Sequence, residues 1–116
     1  MLNYLKKIFS IFLIFNLTFV SSAQAAATFV DRFDVSGQDT TPRGLTFNND
    51  GTKMFVAGNA GDDINEYTLS IGFDLTSTVT FNDINGDGTG FDISGQDTAP
   101  RGLTFNNDGT KMFVAG

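Results

Sequence analysis

Residues Asp34 to Gly58 read DVSGQDTTPRGLTFNNDGTKMFVAG, and residues Asp92 to Gly116 read DISGQDTAPRGLTFNNDGTKMFVAG. The second repeat starts 58 residues after the first. The repeats differ at two positions, Val35 against Ile93 and Thr41 against Ala99. A near-identical repeat with a period of this order is typical of a supersecondary unit that buries its apolar faces against further copies of itself. The repeat therefore predicts a modular, stacked architecture.

The first repeat carries the pattern of a β-hairpin. Residues Gly44 to Phe47 predict a short strand in which Leu45 and Phe47 share a face. Residues 48–51, Asn-Asn-Asp-Gly, predict the turn, because glycine there permits a positive φ. The return strand, 53–57, is apolar at consecutive positions, which indicates a strand covered on both faces.

Two further strands are predicted before the second repeat begins. The third covers Ile64 to Leu69, with Tyr67 on the face opposite Ile64, and the fourth covers Thr76 to Phe81 after a turn near Ser70. No helical apolar period follows Ala27, and the composition is rich in Phe, Val, Thr, Gly, Asn and Asp. We therefore expect an all-β fold with four short antiparallel strands per unit, as in the blades of a β-propeller.

The segments GLTFNNDGTKMFVAG (44–58) and DINEYTL (63–69) resemble the inner hairpin and third strand of YVTN-type and related bacterial β-propeller repeats. The resemblance extends from Phe29 to Gly116. It implies an incomplete propeller, with one unit near 34–91 and a second, truncated one near 92–116. Propellers of this type include enzymes, adhesins and scaffolds, so the resemblance by itself assigns no activity.

Two features depart from a plain propeller. A spacing of 58 residues is long for a four-stranded blade, and two units are fewer than the four to eight that close a ring. Three explanations are open: the sequence is a fragment of a longer product, several copies assemble into one propeller, or two units form an open sandwich. In the first two cases residues 29–35 are predicted to form an outer strand that closes the ring.

The N-terminal segment predicts export. Lys6 and Lys7 precede an apolar stretch at 8–20, and Ala23-Gln24-Ala25 supplies a small-x-small cleavage pattern. We therefore expect residues 1–25 to be a cleaved signal peptide and residues 26–116 to form the partial propeller domain, in the periplasm, at the cell surface or outside the cell. The alternative is an uncleaved anchor, but an apolar core of about 13 residues is shorter than the roughly 20 needed to span a bilayer.

The charge balance narrows the range of partners. The chain has 13 acidic and 7 basic residues and a net charge of −6 at pH 7. Such a surface repels nucleic-acid phosphates and anionic lipid headgroups, which argues against nucleic-acid binding and against electrostatic membrane binding. Divalent cations are compatible with the charge, and so is a purely solubilising role.

A calcium-binding loop is one hypothesis for the extra length between the repeats. The segment DINGDG (83–88) matches the D-x-[DN]-x-[DN]-G opening of calcium loops. Asp83, Asn85 and Asp87 would be side-chain ligands, and Thr89 would contribute its backbone carbonyl. The match is partial, because the twelfth position is a serine rather than a bidentate glutamate. The alternative is a polar insertion whose Asn, Asp and Gly serve turn chemistry alone.

A second repeated polar group precedes the inner strands. Asp39 and Arg43 of the first repeat correspond to Asp97 and Arg101 of the second. In a closed propeller the arginines would surround the channel mouth and bind an anion. Alternatively, Asp39 pairs with Arg43, and Asp97 with Arg101, to fix the loop. The glycines that follow the arginines are predicted sites of close backbone approach, Gly44 and Gly102.

The sequence offers little support for catalysis. It contains no histidine and no cysteine, and Asp62-Asp63 is predicted to be an exposed turn. We therefore expect an exported, non-enzymatic binding or interaction module whose ligand is a protein or a carbohydrate, with calcium as a conditional stabiliser. Its other partners would be further blades in the same chain or further copies of it. The alternative is the N-terminal part of a larger extracellular propeller enzyme, a hydrolase or a lyase.

Overall fold

The computed structural model describes residues 28–116, so the predicted signal segment, 1–25, lies outside the described residues. The described chain is all-β, and its paired strands are antiparallel. No helix capable of crossing a membrane occurs between residues 28 and 116. The strands are β1 (Pro42–Phe47), β2 (Lys53–Gly58), β3 (Asp63–Leu69), β4 (Val79–Phe81), β5 (Phe91–Asp92), β6 (Gly102–Phe105) and β7 (Met112–Ala115).

The first five strands form one sheet, in which β1, β2, β3 and β4 are neighbours in that order and the short β5 also pairs with β3. We call it the four-stranded sheet, because β4 and β5 share one position beside β3. Its front face carries the buried side chains Met54, Val56, Tyr67 and Leu69, which pack together. Its back face carries Phe55, Ala57 and Ile64. The prediction that β2 is covered on both faces is therefore confirmed, because side chains alternate along a strand.

The outer edge of this sheet is interrupted. Strand β4 pairs with the end of β3, with Leu69 opposite Val79, whereas the short β5 pairs with its beginning, with Ile64 opposite Phe91. Both segments run in the same direction along the same edge of β3. Residues 83–90 therefore loop out of what is otherwise a continuous outer strand, and this excursion accounts for the extra length of the repeat.

The fourth strand is shorter than predicted. It begins at Val79 rather than at Thr76, because Asp74 holds the preceding residues in a turn. The N–H and hydroxyl of Thr76 both donate to the Asp74 carboxylate, at 2.9 and 2.5 Å. Ser77 donates from its backbone N–H to the Asp74 carbonyl. These local bonds compete with the extended conformation.

The second hairpin, β6–β7, reproduces the first. Gly44 lies opposite Ala57 in the first hairpin, as Gly102 lies opposite Ala115 in the second. The turns match too: Gly51 donates to the Asn48 carbonyl at 3.1 Å, and Gly109 donates to the Asn106 carbonyl at 3.0 Å. Both turn glycines have a φ of 71°. The hairpin prediction is confirmed in both repeats.

The second hairpin packs on the back face of the four-stranded sheet. Leu103, Met112 and Val114 contact the cluster formed by Ala57, Ile64 and Ile93. Beside this cluster the rings of Phe55 and Phe105 lie 4.6 Å apart. The two sheets are therefore joined by an apolar interface rather than by shared strands.

Residues 29–35 do not form the predicted outer strand. The segment has no regular secondary structure, and Phe29 and Val30 are exposed. Phe33 and Val35 instead pack against the front-face cluster. Since β4 and β5 already occupy the outer edge of β3, the available apolar surface is the face of the sheet rather than its edge.

Candidate functional site

Three chain segments meet at one end of the four-stranded sheet. Asn59, after β2, donates to the carbonyl of Thr41, before β1, at 3.3 Å. Gly90, at the end of the loop 83–90, donates to the carboxylate of Asp63 at 3.0 Å. Between these segments lies a cleft of about 480 Å³, which we call the polar cleft. It is lined by Gln38, Gly61, Asp63, Asn85, Asp87, Gly88, Thr89, Asp92 and Ser94.

Asp63 lines this cleft, and Asn65 is hydrogen-bonded to it. Asp63 is buried, which corrects the prediction that Asp62-Asp63 is an exposed turn; Asp62 alone takes the turn conformation, with φ of 52°. The Asn65 amide donates to Asp63 at 2.9 Å and is fully buried. Within residues 28–116 the Asn65 Oδ1 has no hydrogen-bond partner. It lies against Gly90, where a Cβ would be 3.0 Å from this oxygen.

A second buried carboxylate, that of Asp39, lies at the same end of the four-stranded sheet. Asp39 is 1% exposed and accepts hydrogen bonds from the backbone N–H groups of Thr41, at 2.5 Å, and Ala60, at 3.4 Å. Nearby, the Tyr67 hydroxyl donates to Gln38 at 3.2 Å. Burial raises the pKa of Tyr67 to about 12, and the negative charge of Asp63 adds to the shift. This end of the sheet is thus strongly electronegative.

The predicted calcium residues lie at the rim of the polar cleft, with Asp83 outside its lining. The Asp83 carboxylate accepts three backbone hydrogen bonds from its own loop, from Gly86 at 2.6 Å, Asp87 at 3.1 Å and Gly88 at 2.9 Å. It therefore closes the loop as an internal cap. Across residues 28–116 no three acidic side chains converge in a manner suited to a metal ion.

Asp87 is also engaged by its own loop. Its carboxylate accepts from the Thr89 hydroxyl at 2.7 Å and from the Thr89 N–H at 2.9 Å. These two bonds lower the pKa of Asp87 below the ordinary value of 3.8. Asp74 and Thr76 make the same pair of bonds in a turn outside the cleft. The Asp87–Thr89 arrangement is thus explained by turn chemistry, while the exposed Asp87 still faces the cleft.

The predicted Asp–Arg ion pairs do not form. The ion pair found in the described part of the chain joins Lys53 to Glu66 at 2.5 Å. Asp39 and Asp97 instead accept N–H groups of the loops that follow them, as shown by the 2.8 Å bond from Ala99 to Asp97. The aspartates hold these loops through backbone N–H groups rather than through the arginines. Arg43 and Arg101 are both exposed.

The close backbone approach predicted at Gly44 is confirmed. A Cβ at Gly44 would lie 3.0 Å from the Cα of Gly102 and 3.1 Å from the Arg101 carbonyl oxygen. Gly102 itself faces open space, with nothing within 4 Å of a Cβ built on it. The two equivalent glycines therefore have different surroundings: Gly44 faces the second hairpin, whereas Gly102 belongs to that hairpin and faces open space.

The sequence analysis missed Gln38 and Asp63, which line the cleft, and Asn65, which is hydrogen-bonded to Asp63. A signal was present in the third strand, where Asp63 and Asn65 alternate with the apolar Ile64 on a strand otherwise suited to burial. Polar residues at alternate positions of a buried strand require partners from another segment. For Asp63 that partner is the N–H of Gly90, 27 residues further along the chain.

Comparisons with family models, with curated proteins and with solved structures gave no match for this chain. The assignment of a function therefore depends on the residues and the geometry described above.

Proposed function

We propose that this chain is an exported binding module of the β-propeller type whose ligand docks in the polar cleft. The observation that carries the proposal is the convergence of three segments, distant in sequence, on one cleft of about 480 Å³. Its lining consists of amides, hydroxyls, carboxylates and glycines. Loops placed by a rigid sheet are a common location for binding sites.

The sheet architecture supports the propeller part of this proposal. Four neighbouring antiparallel strands in sequential order match the strand arrangement of a propeller blade. The second hairpin repeats the first in register and stacks on its sheet. The N-terminal segment, with its positive start and apolar core, supports export.

The chemistry of the polar cleft favours a neutral carbohydrate over an anionic ligand. Asp63, Asp87 and Asp92 line it, and no lysine or arginine does. Carboxylate and amide oxygens accept hydrogen bonds from sugar hydroxyls, and the negative charges of the carboxylates repel phosphate, sulfate and uronate groups. A small neutral oligosaccharide therefore fits the lining.

The aspartates favour binding over acid catalysis. A catalytic general acid at neutral pH needs a raised pKa. Every aspartate of residues 28–116 with a clear pKa shift has its pKa lowered by hydrogen bonds, so these carboxylates stay charged. They are Asp34, Asp50, Asp74, Asp87, Asp92 and Asp108.

A glycan array probed with the purified chain tests the proposal. We expect retention on a subset of neutral glycans, and loss of retention in Asp87→Ala and Asn85→Ala, whose side chains line the cleft. The matched control is Asp74→Ala, which removes an aspartate with the same threonine contacts outside the cleft. Retention of anionic glycans alone, equal binding by Asp87→Ala, or no retained glycan would contradict the proposal.

A further inference from the structure

The loop 83–90 contains an asparagine that is followed directly by a glycine, Asn85-Gly86, and the 116-residue sequence has no other such pair. The backbone nitrogen of a residue can attack the side-chain carbonyl carbon of an asparagine before it, which closes a succinimide ring. A Cβ on the attacking residue hinders this approach, and glycine has none. The pair therefore has the covalent structure that favours ring closure, provided that the folded chain leaves it accessible.

The fold leaves both residues of the pair accessible. Asn85 and Gly86 are exposed, and Asn85 lines the polar cleft. Gly86 has a φ of 74°, and nothing lies within 4 Å of a Cβ built on it. The Gly86 nitrogen and the Asn85 side chain can therefore approach each other without displacing another segment of the described chain.

The hydrogen bonds of the loop hold the attacking nitrogen but not the amide that it would attack. The N–H of Gly86 donates to the carboxylate of Asp83 at 2.6 Å. The proton that must leave this nitrogen is thus already hydrogen-bonded to a carboxylate. Among residues 28–116, the side-chain acceptors in this loop are Asp83 and Asp87, and the Asn85 amide takes part in none of these bonds.

Other asparagines of the described chain differ in this respect. Their side-chain amides donate hydrogen bonds to threonine hydroxyls, to carboxylates or to a backbone carbonyl, which holds the side chain away from the following nitrogen. These asparagines are Asn48, Asn49, Asn65, Asn82 and Asn106. Each is also followed by a residue that carries a Cβ.

We propose that Asn85 is a site of spontaneous deamidation in the folded protein. The Gly86 nitrogen loses its proton and forms a bond to the Asn85 side-chain carbonyl carbon. The bond from that carbon to the amide nitrogen breaks, and the amide leaves with one added proton as ammonia. Water from the solvent then opens the succinimide at either carbonyl, which gives an aspartate or an isoaspartate at position 85 with no oxidation or reduction.

The reaction changes the charge of the polar cleft. Asp63, Asp87 and Asp92 already line it. The product adds a further carboxylate and removes the two N–H donors of the amide. An isoaspartate also routes the backbone through the side chain, so the loop that Asp83 caps becomes longer. Deamidation therefore makes the cleft more repulsive to anions, and it requires no bound ligand, so it is independent of the proposed glycan binding.

Peptide mapping by mass spectrometry tests the proposal on the purified, folded chain, incubated in mildly alkaline buffer below its thermal midpoint. A synthetic peptide of residues 83–90 in the same buffer sets the time, and the chain is sampled over several half-lives of the peptide. We expect a more acidic species on anion exchange, with the amide of Asn85 replaced by a carboxyl group and isoaspartate among the products. An unchanged Asn85 after this time would overturn the proposal.

Two other asparagines serve as internal controls in the same digest. Asn59 and Asn107 are exposed, but Ala60 and Asp108 follow them, and both of these residues carry a Cβ. We expect both asparagines to stay unmodified over the incubation. Conversion of either to the same extent as Asn85 would show that exposure alone decides the reaction, which would contradict the assignment of a specific site.

Two glycine variants separate ring closure from a general effect on the loop. Gly86→Ala places a Cβ on the attacking residue, so the acidic product should be lost. Gly88→Ala is the matched control: Gly88 has a φ of 81° and equally open surroundings, so alanine there has similar backbone strain but does not follow an asparagine. It should react like the unmodified chain. Equal product in the two variants, or loss in both, would overturn the proposal.

Discussion

At Gly58, at the end of β2, the missing side chain makes room for the buried carboxylate of Asp39. A Cβ built at Gly58 overlaps this carboxylate. Asp39 cannot retreat without losing its hydrogen bonds to Thr41 and Ala60. The glycine is therefore required by packing against a buried charge rather than by a special φ.

We expect Gly58→Ala to lower the free energy of unfolding by about 1–3 kcal/mol, the usual cost of overpacking a filled site. Chemical denaturation measures the change. Gly37→Ala is the matched control, because nothing lies within 4 Å of a Cβ there, and it should be neutral or slightly stabilising. Equal effects of the two substitutions would show that Asp39 moves freely.

The raised pKa of Tyr67 predicts how the stability of the fold changes at alkaline pH. Burial raises its pKa from 10.0 to about 12 in the folded state, with the charge of Asp63 as the next cause. The neutral phenol is thus favoured by folding, so its contribution is fully present below pH 10 and is lost as the pH rises toward 12. The thermal midpoint should fall across this window.

Tyr67→Phe should flatten that alkaline fall, because the titrating group is removed. Spectrophotometric titration of phenolate absorbance checks the cause: the component that disappears in Tyr67→Phe should be the one titrating near pH 12. A Tyr67 component titrating near pH 10 would contradict the burial of its hydroxyl end.

Among the structural elements, the two hairpin turns have the same pattern of Thr–Asp hydrogen bonds. The Thr52 hydroxyl and N–H donate to Asp50, and Thr110 makes the same bonds to Asp108, with hydroxyl distances of 2.5 and 2.6 Å. In each turn the threonine lowers the pKa of the aspartate below 3.8. The stabilisation is therefore present above pH 3.8 and is lost as the pH falls through the lower, folded value.

We expect Thr52→Val to return the pKa of Asp50 toward 3.8 and to leave Asp108 unchanged. Carboxyl chemical shifts followed by NMR between about pH 6 and 2 measure both groups in one sample, and this range spans the ordinary Asp pKa. The second turn is an internal control, since it has the same sequence. A parallel rise at both aspartates would indicate a global change rather than loss of one hydroxyl donor.

The loop 83–90 is the element on which the calcium hypothesis depends. The side chains of Asp83 and Asp87 already accept hydrogen bonds from the loop itself, which explains their presence by turn chemistry. We therefore expect calcium at millimolar concentration to leave the thermal midpoint unchanged. A rise that is abolished in Asp83→Ala with Asp87→Ala would instead establish a site, because a ligand of the folded state stabilises it by mass action.

At the scale of the whole molecule, the two sheets differ in the number of contacts that stabilise them against opening. Strands β2 and β3 are enclosed by paired neighbours and by both apolar clusters. The second hairpin has two strands and depends on its contact with the back face of the sheet. Because an isolated two-stranded hairpin is marginal in water, we expect it to open before the sheet does.

Phe105→Ala should release the second hairpin. It removes the 4.6 Å ring contact with Phe55 and its apolar area. Hydrogen exchange should then accelerate at 102–115 and stay slow in β2 and β3. Phe113→Ala is the control, since that ring is exposed and makes no internal contact of this kind within the described residues. Equal acceleration in both sheets would mean that they unfold as one unit.

Much of the local structure could be predicted from the residues alone. The hairpin strands, the Asn-Asn-Asp-Gly turn and the faces of Leu45, Phe47 and Tyr67 follow from alternation and turn chemistry, which act within a few residues. The site could be predicted only in part. The loop 83–90 was recognised as a distinct polar element, but its hydrogen-bond partner Asp63 was not, because Asp63 belongs to a strand distant in sequence.

The sequence by itself determined the strand pattern, the turn at each repeat and the apolar residues on both faces of the inner strands, since these depend on side-chain alternation and local hydrogen bonding. Only the tertiary structure decided that Asp63 is buried, that the outer strand is split around 83–90 and that Asp39 binds backbone N–H groups rather than Arg43. It also decided that the back face of the first hairpin, with Phe55 and Ala57, is covered, whereas the equivalent face of the second hairpin, with Phe113 and Ala115, is exposed. Identical sequences acquired different surroundings because burial depends on what packs against a residue, and that is set by long-range contacts.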